Sequence, residues 1–392
     1  MRLTSDFKKF INDHKNDDVN LLALKSERYP NIDIREAIQQ IKGRQIAKIK
    51  IPSWYPLDDI IYPKHLSMEQ CSSEYTARYK ANIYNGECMT DLTGGFGIDC
   101  AFFAQNFNNI TYVEQQEELE KIAKHNFEKL GLNIITYHQN ADDFLNNMSY
   151  VDLIYIDPAR RDSHGSKTVF IEDCTPNVIE IQSILESKSK RTMIKLSPML
   201  DISLALKSLR NISDVYIISH LNECKELVFL KNNENDVAIT NIHCVNISDH
   251  KIDEFVFQKE TENNIHINYA DEIGKYLYEP NSSIIKAGAY KILTNEYPIY
   301  KLHPNSHLYT SNNLIEDFHG RKFQIENILG LNKKETKTYL KDFEQANIST
   351  RNFPFSPQEL KKRLGLKDGG DIYIFGTTLS NEKKVLIICK KI

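Results

Sequence analysis

Short apolar runs alternate with longer segments of helical period along residues 88–231. The runs predict strands and the segments between them predict helices. The strands are predicted at 88–92, 109–114, 133–138, 150–156, 191–196, 214–219 and 225–231, and the helices at 98–106, 116–130, 141–147, 175–188 and 202–210. Such alternation is typical of a parallel sheet covered on both faces. The link 220–224 is too short for a crossover helix, so the last two strands are predicted to be antiparallel.

The pattern changes on both sides of this core. Residues 1–64 are predicted to form short helices, and Asn31 or Asp33 is a plausible N-cap. Another helix is predicted over 69–80, with Ser72 or Ser73 as its N-cap. The sequence therefore predicts an α/β protein that begins with a helical region.

The C-terminal part is basic and has its own local signals. Residues 281–392 hold 18 Lys and Arg against 11 Asp and Glu, a net charge of +7, whereas the remainder carries −11. Ser356-Pro-x-Glu359 is a capping box with proline at the first helical position. Strands are predicted at 371–377 and 384–389, so a small α/β domain closes the chain. A basic module on an acidic body is typical of nucleic-acid binding; a solvated Lys-rich surface is the alternative.

Composition describes an ordinary globular protein. The 392 residues are 41% hydrophobic and 26% charged, and this length suffices for two or three domains. No apolar run has the length of a membrane span or of a signal-peptide core. The seven cysteines are scattered without any Cys-x-x-Cys pair, which favours reduced thiols and no structural zinc. We expect a cytoplasmic protein without a metal or membrane partner, and the sequence leaves the oligomeric state open.

The segment 91–99 is the most informative turn of the chain. Its glycines Gly94, Gly95 and Gly97 would let a ligand approach the backbone closely. A helix N-terminus attracts anions, and Asp91 and Asp99 would repel a pyrophosphate there. The acids tolerate a cationic sulfonium, so S-adenosylmethionine (SAM) is favoured over a nicotinamide cofactor.

Two further acids have positions that suit a bound nucleoside. Glu114 ends the second predicted strand, where a carboxylate can accept hydrogen bonds from both ribose hydroxyls. Asp142 follows the third strand and is placed to contact the adenine amine. The alternatives are a surface acid at a strand end for Glu114 and a helix N-cap for Asp142.

The fourth strand ends in Asp157-Pro-Ala-Arg-Arg161, at the edge where open α/β sheets bind ligands. Asp157 and the carbonyl of Pro158 could orient an acceptor amine. Arg160 and Arg161 could grip a phosphate or stack on a base, or could instead pair with the acids of a nearby turn. Lys195 and Ser197 line the same edge.

A nucleophilic cysteine is a competing mechanism, which methylation of a pyrimidine carbon would require. Cys224 and Cys174 are the candidates, and structural thiols are the simpler interpretation. The sequence does not decide between these mechanisms.

Taken together, the motifs resemble those of bacterial class I SAM-dependent methyltransferases that carry a THUMP-like C-terminal domain. The matching segments are 70–74, 91–99, 112–115, 157–161, 195–199 and 222–226, with 279–280, 285–288, 351–354 and 369–370 in the tail. The resemblance implies SAM binding, a seven-stranded Rossmann-like core and action on ribosomal or transfer RNA. It also implies a division into 1–64 (helical), 65–275 (methyltransferase), 276–320 (ferredoxin-like) and 321–392 (THUMP-like).

Segment 91–99 is also similar to that of ribosomal RNA guanine-N2 methyltransferases. However, Ala159 and Arg160 stand where amino-directed enzymes have a second proline and an aromatic residue. The departure leaves the methylated atom open. A small-molecule methyltransferase and a non-catalytic SAM- or RNA-binding protein remain alternatives.

Overall fold

The computed structural model describes residues 4–160, 171–249 and 251–392. They form two compact units. The first runs to Val215 and includes Glu226–Ala238; the second comprises Tyr216–Lys225 and Ile239–Ile392. No helix in the described ranges combines the length and the apolar character that a membrane span requires.

Helices open the first unit. They are α1 (Ser5–His14), α2 (Val19–Leu24), a 3₁₀ turn (Ser26–Arg28), α3 (Ile34–Lys50), α4 (His65–Gln70) and α5 (Glu74–Ala81). Asp33 caps α3 by accepting a hydrogen bond from the Glu36 N–H, and Ser73 caps α5 in the same way. One of the two N-caps offered for each helix is thus confirmed. The helix predicted over 69–80 is wrong at its start: it begins only at Glu74, because the capping residue Ser73 has an extended backbone.

Strands and helices then alternate as the pattern predicts. They are β1 (Cys88–Asp91), α6 (Ile98–Phe103), β2 (Asn109–Glu114), α7 (Glu117–Lys129), β3 (Ile134–His138), α8 (Ala141–Asn147), β4 (Val151–Ile156), β5 (Ala159–Arg160), a 3₁₀ turn (Ile171–Asp173), β6 (Cys174–Thr175), α9 (Val178–Lys188), β7 (Ser189–Leu196), α10 (Ile202–Ser208), β8 (Ile212–His220) and β9 (Glu223–Asn232). In the first unit the strand order is β3-β2-β1-β4-β7-β9. All neighbours in this order are parallel except β9, which is antiparallel to β7.

The central strand β4 explains why the sheet is predictable from sequence. Its residues 153–156 are all buried, because a parallel strand in the middle of a sheet is covered by helices on both faces. A continuous apolar run is the expected consequence. The α/β class and the antiparallel strand at the end of the core are confirmed.

All seven predicted strands are present, as β1, β2, β3, β4, β7, β8 and β9, but the sheet has nine strands among the described residues, so the predicted number is wrong. The additional strands are the antiparallel pair β10 (Asn241–Ile247) and β11 (Ile252–Gln258). In β10 the buried apolar residues are interrupted by His243 and Asn246, and β11 contains several charged residues. Such a pattern is too weak to assign from sequence.

The second unit contains its own sheet. After β10 and β11 its elements are α11 (Lys259–Asn264), β12 (Tyr276–Pro280), α12 (Ser282–Ala287), α13 (Ile292–Glu296), β13 (Tyr300–Lys301), β14 (Tyr309–Ser311), β15 (Gly320–Leu329), α14 (Lys333–Leu340), β16 (Asn347–Arg351), α15 (Pro357–Leu364), β17 (Ile372–Thr378) and β18 (Lys384–Lys391). The strand order is β13-β14-β12-β15-β18-β17-β16. The capping box at Ser356 and Glu359 starts α15, as predicted.

Candidate cofactor and acceptor site

The glycine-rich loop between β1 and α6 has a backbone that side chains would not permit. A Cβ at Gly94 would overlap the ring of Tyr112, and Gly95 and Gly97 have φ values of +55° and +85°. The Tyr112 hydroxyl donates a hydrogen bond to the Gly95 carbonyl at 2.6 Å. The loop is therefore held tightly against β2.

Glu114 lies directly against this loop at the end of β2. Its carboxylate is buried and accepts hydrogen bonds from the N–H groups of Gly95 (2.9 Å) and Gln116 (2.7 Å). Each oxygen keeps a second lone pair, which can accept a hydroxyl proton. The carboxylate is thus fixed beside the glycine loop in a form that can hold a ribose.

Asp142 is exposed in the first turn of α8. The N-cap of this helix is Asn140, whose side chain accepts a hydrogen bond from the Asp142 N–H at 2.8 Å. The alternative assignment of Asp142 as the N-cap is therefore wrong. Its carboxylate is not needed to cap the helix.

Asp91 carries the strongest electrostatic signal of the loop. It is 1% exposed and accepts a hydrogen bond from the Thr93 N–H at 3.0 Å. Burial raises the pKa of Asp91 well above its usual value, and the negative charges of Asp99, Asp157 and Glu114 raise this pKa further. Because negative potential accumulates at this point, the residues fit a cationic ligand such as a sulfonium with its ammonium group.

The predicted acceptor loop lies beside the glycine loop. Strands β1 and β4 are parallel neighbours, so their C-terminal ends meet at one edge of the sheet. The Asp157 N–H donates a hydrogen bond to the Thr93 hydroxyl at 2.6 Å. Pro158 is buried, whereas Arg161 and the side chain of Arg160 lie outside the described residues.

The Asp157 carboxylate is paired with Lys195 at the end of β7 through its Oδ2 atom. The Lys195 ammonium also lies 3.9 Å from Asp99. Burial alone would lower the pKa of Lys195, but the carboxylates of Asp157, Asp99 and Glu226 outweigh it and raise this pKa. Lys195 is therefore a permanent cation that pairs with Asp157.

A second lysine belongs to the same group of charges as Asp157, Lys195 and Asp99. Lys80 of α5 is fully buried, and its ammonium lies 2.9 Å from Asp99 Oδ1, 2.8 Å from Glu226 Oε1 and 2.8 Å from Ser72 Oγ. Neither of these two carboxylate oxygens receives a well-aligned hydrogen bond within the described chain, so the ammonium charge compensates both.

Asp99 joins the two lysines. Its Oδ2 atom accepts hydrogen bonds from Ser72 and Tyr155, both at 2.7 Å. Burial would raise the pKa of Asp99, but Lys80, Lys195 and these two hydroxyls outweigh burial and lower this pKa to about 2. The carboxylate is engaged on both oxygens within the cluster.

The sequence predicts most of the residues at this site but not the residues that hold them in place. Thr93, Tyr155 and Lys80 are not predicted as site residues, although Thr93 lies inside the glycine motif. Lys80 gives no signal, because a lysine in a helical pattern reads as solvent-exposed. Cys174 is 2% exposed, in agreement with a structural thiol.

The parallel sheet, the glycine loop with its acids and the adjoining acceptor loop define a class I methyltransferase. A crystal structure of a candidate methyltransferase from Porphyromonas gingivalis W83 is similar over 98% of this chain and 97% of that one, with 33% identity and a TM-score of 0.88. Family models for a ferredoxin-like domain and for a THUMP domain-like region match residues 276–318 and 320–391. The chain belongs to the family of class I SAM-dependent methyltransferases with a THUMP-like C-terminal domain.

Other similar structures resemble only part of the chain. An rRNA methylase from Streptococcus thermophilus is 14% identical, with a TM-score of 0.30 over 41% of this chain and 94% of that one. TrmK from M. capricolum is 16% identical, with a TM-score of 0.32 over 45% and 71%. Likeness at this level carries no argument about function. No curated protein matches the sequence.

Proposed function

We propose that this protein transfers a methyl group from SAM to a base of ribosomal or transfer RNA in the cytoplasm. The observation that carries the proposal is the link through Thr93, which joins the buried acid Asp91 and the acceptor loop at Asp157. A cationic donor and an acceptor bound at these two loops would be neighbours. In-line transfer needs that proximity more than it needs covalent help.

The cofactor would lie along the C-terminal edge of β1 and β2. Backbone around Gly94, Gly95 and Gly97 would cradle it, and Glu114 would accept from the ribose hydroxyls. The exposed Asp142 would accept from the adenine amine, and Asp91 would face the cationic end. SAM supplies an electrophilic methyl group on a sulfonium.

Asp99 has a different place in this proposal. Both of its oxygens are engaged by Lys80, Ser72 and Tyr155, so it would support Lys195 instead of contacting the cofactor. Its negative charge would still contribute to the potential that favours a cation.

The acceptor would be held by Asp157 and by the carbonyl of Pro158. Lys195 occupies Asp157 Oδ2, and none of the described residues donates to Oδ1. That oxygen can accept a hydrogen bond from an acceptor N–H and fix the direction of its lone pair. Arg160 and Arg161 would engage a phosphate or stack on the base.

The RNA substrate is supported by the C-terminal part of the protein. Residues 281–392 carry a net charge of +7, and their last part matches a THUMP domain-like model. We propose the division into 1–64, 65–275, 276–320 and 321–392, in which the last two segments bind RNA. A polyanion is the partner that such a charge favours.

The test is methyl transfer by the full-length protein from radiolabelled SAM to total RNA of cells that lack the gene. Digestion to nucleosides and mass spectrometry would then identify the methylated base. We expect label in RNA isolated from these cells and little in RNA from the parent strain, whose sites are already modified. Label in a small-molecule fraction alone, or in neither fraction, would contradict RNA methylation.

We expect SAM binding to release a proton because Asp91 has a raised pKa in the free protein. A nearby cation favours the carboxylate, so the donor would lower this pKa. Affinity for SAM should therefore rise with pH until Asp91 is ionised without ligand. Calorimetry in two buffers of different ionisation enthalpy measures the proton directly, and Asp91→Asn should remove it. Equal heats in both buffers for the wild type would argue against contact with Asp91.

A further inference from the structure

A buried glutamate in the second unit holds two arginines. Glu279 in β12 is 2% exposed. Its Oε2 atom accepts from Nε of Arg321 at 2.7 Å and also pairs with Nη2 of that residue. Its Oε1 atom accepts from Nη2 of Arg351 at 2.8 Å. One carboxylate therefore orients two guanidinium groups.

The backbone on both sides of this trio is fixed. Glu279 and Arg321 are directly opposite each other on the paired strands β12 and β15. Arg351 ends β16 and is followed by Asn352 with a φ of +50°. The Asn352 side chain lies 2.9 Å from Nδ1 of His303. The backbone carbonyl of Asn352 accepts a hydrogen bond from the Thr378 hydroxyl at 2.5 Å. Both arginines thus project from ordered backbone.

The trio has more positive charge than Glu279 requires. One arginine would neutralise the carboxylate, and the second leaves a net charge of +1. The side chains of Arg321 and Arg351 remain 32% and 38% exposed. Within the described chain, Nη1 of Arg321 and Nε of Arg351 donate to no partner, although Nη1 of Arg351 donates to the Thr350 carbonyl at 3.0 Å.

A second cation, Lys301, acts on His307 together with Arg351. Burial lowers the pKa of His307 to about 4, and the charges of Lys301 and Arg351 act in the same direction. Lys301 is itself buried, with its ammonium donating to the Pro304 carbonyl at 2.6 Å.

We propose that Arg321 and Arg351 form a binding point for a phosphodiester group of RNA. Guanidinium groups suit phosphate oxygens because their planar N–H donors bind two oxygens at once. Glu279 fixes both side chains in advance, so little side-chain freedom is lost on binding. The identification of RNA as the source of the phosphate rests on the proposed function, and the net charge of residues 281–392 favours a polyanion over a single acidic side chain.

The experiment compares Arg351→Gln and Arg321→Gln with Lys383→Gln in the full-length protein. Lys383 is an exposed lysine in the same unit, so its replacement removes the same charge from an unorganised position. The probe is a fluorescein-labelled mixed-sequence RNA oligonucleotide, followed by anisotropy over a range of salt concentrations. We expect each arginine variant to bind about tenfold more weakly at low salt, with a log–log salt slope reduced by about 0.7. Lys383→Gln should change affinity less than about twofold.

Loss of an arginine could disturb Glu279, so Arg351→Lys and Arg321→Lys are measured beside the two glutamine variants. Each lysine keeps the ion pair and the charge but loses the planar donors, and we expect weakening of about threefold with an unchanged salt slope. Circular dichroism melting identifies any variant that is unfolded, and the lysine variants then decide.

The outcomes separate this inference from the proposed function. Equal weakening by Lys383→Gln, or unaltered binding by the arginine and lysine variants while the wild type binds and methylates RNA, would overturn the arginine site alone. A wild-type protein that neither binds nor methylates RNA would overturn both.

Discussion

Replacing Asp157 with alanine should lower the rate of methyl transfer by about 10³-fold while SAM affinity stays within about twofold. Asp157 stands at the end of β4 with its N–H bonded to Thr93 and its Oδ2 paired with Lys195. The proposed acceptor would meet the remaining oxygen. Alanine leaves the cofactor cradle intact but removes the group that aims the acceptor, so chemistry suffers and donor binding does not. Single-turnover transfer and calorimetry with SAM measure the two quantities separately.

Asp157→Asn is the matched control for this substitution. It keeps an oxygen that can accept a hydrogen bond but loses the charge that pairs with Lys195. We expect it to retain more activity than Asp157→Ala, with a loss of about tenfold to a hundredfold. If the alanine variant folds but no longer binds SAM, Asp157 contacts the cofactor and the assignment of an acceptor clamp is wrong.

The proximity of Asp91 and Asp157 could be predicted because parallel strands impose it. The apolar runs identify β1 and β4, and the α/β rhythm places the ends of such strands at one edge. The sequence pattern does not predict that the Thr93 hydroxyl joins the two loops, since a threonine in a turn can form several different hydrogen bonds. The loops were predictable as neighbours, but not the bond between them.

The buried ion pairs could not be predicted for a different reason. Lys80 and Glu226 are far apart in the chain, and lysine and glutamate are residue types that usually lie on the surface. Likewise, Glu279 and Arg351 pair although β15, β18 and β17 lie between their strands in the order of the second sheet. Long-range packing that buries a charge does not change the local pattern of apolar residues. The pattern that predicts strands therefore does not predict these buried charges.

The charges in the first unit alternate from the protein interior toward the acceptor loop. Lys80 pairs with Asp99 and Glu226, Asp99 lies near Lys195, and Lys195 pairs with Asp157. Removal of one member would leave a neighbour without its partner, and an unpaired charge in a buried site is costly. Lys80 is thus connected through Asp99 and Lys195 to the carboxylate that we propose to hold the acceptor.

Lys80→Met should destabilise the first unit by about 3–5 kcal/mol. The substitution fills the same volume but leaves Glu226 and one oxygen of Asp99 buried without their closest cation. Trp54, the only tryptophan, is buried against Phe96 of the glycine loop, with ring centroids 5.5 Å apart. Its fluorescence during urea unfolding reports on this unit. The matched control is Lys121→Met, because Lys121 forms an exposed helical ion pair with Glu117, and we expect no measurable change there.

The loss of stability in Lys80→Met should become smaller in acid, and the direction of this change follows from the ionisation of Asp99. Its pKa falls from 3.8 to about 2 on folding, so ionised Asp99 stabilises the fold above about pH 4. This contribution, about 2–3 kcal/mol, disappears as the pH falls toward 2. In Lys80→Met the loss of the nearest cation raises the pKa of Asp99, so this contribution becomes smaller. The two proteins should therefore converge in stability below pH 4. A constant gap from pH 7 to pH 3 would mean that methionine disrupts packing instead of removing a charge.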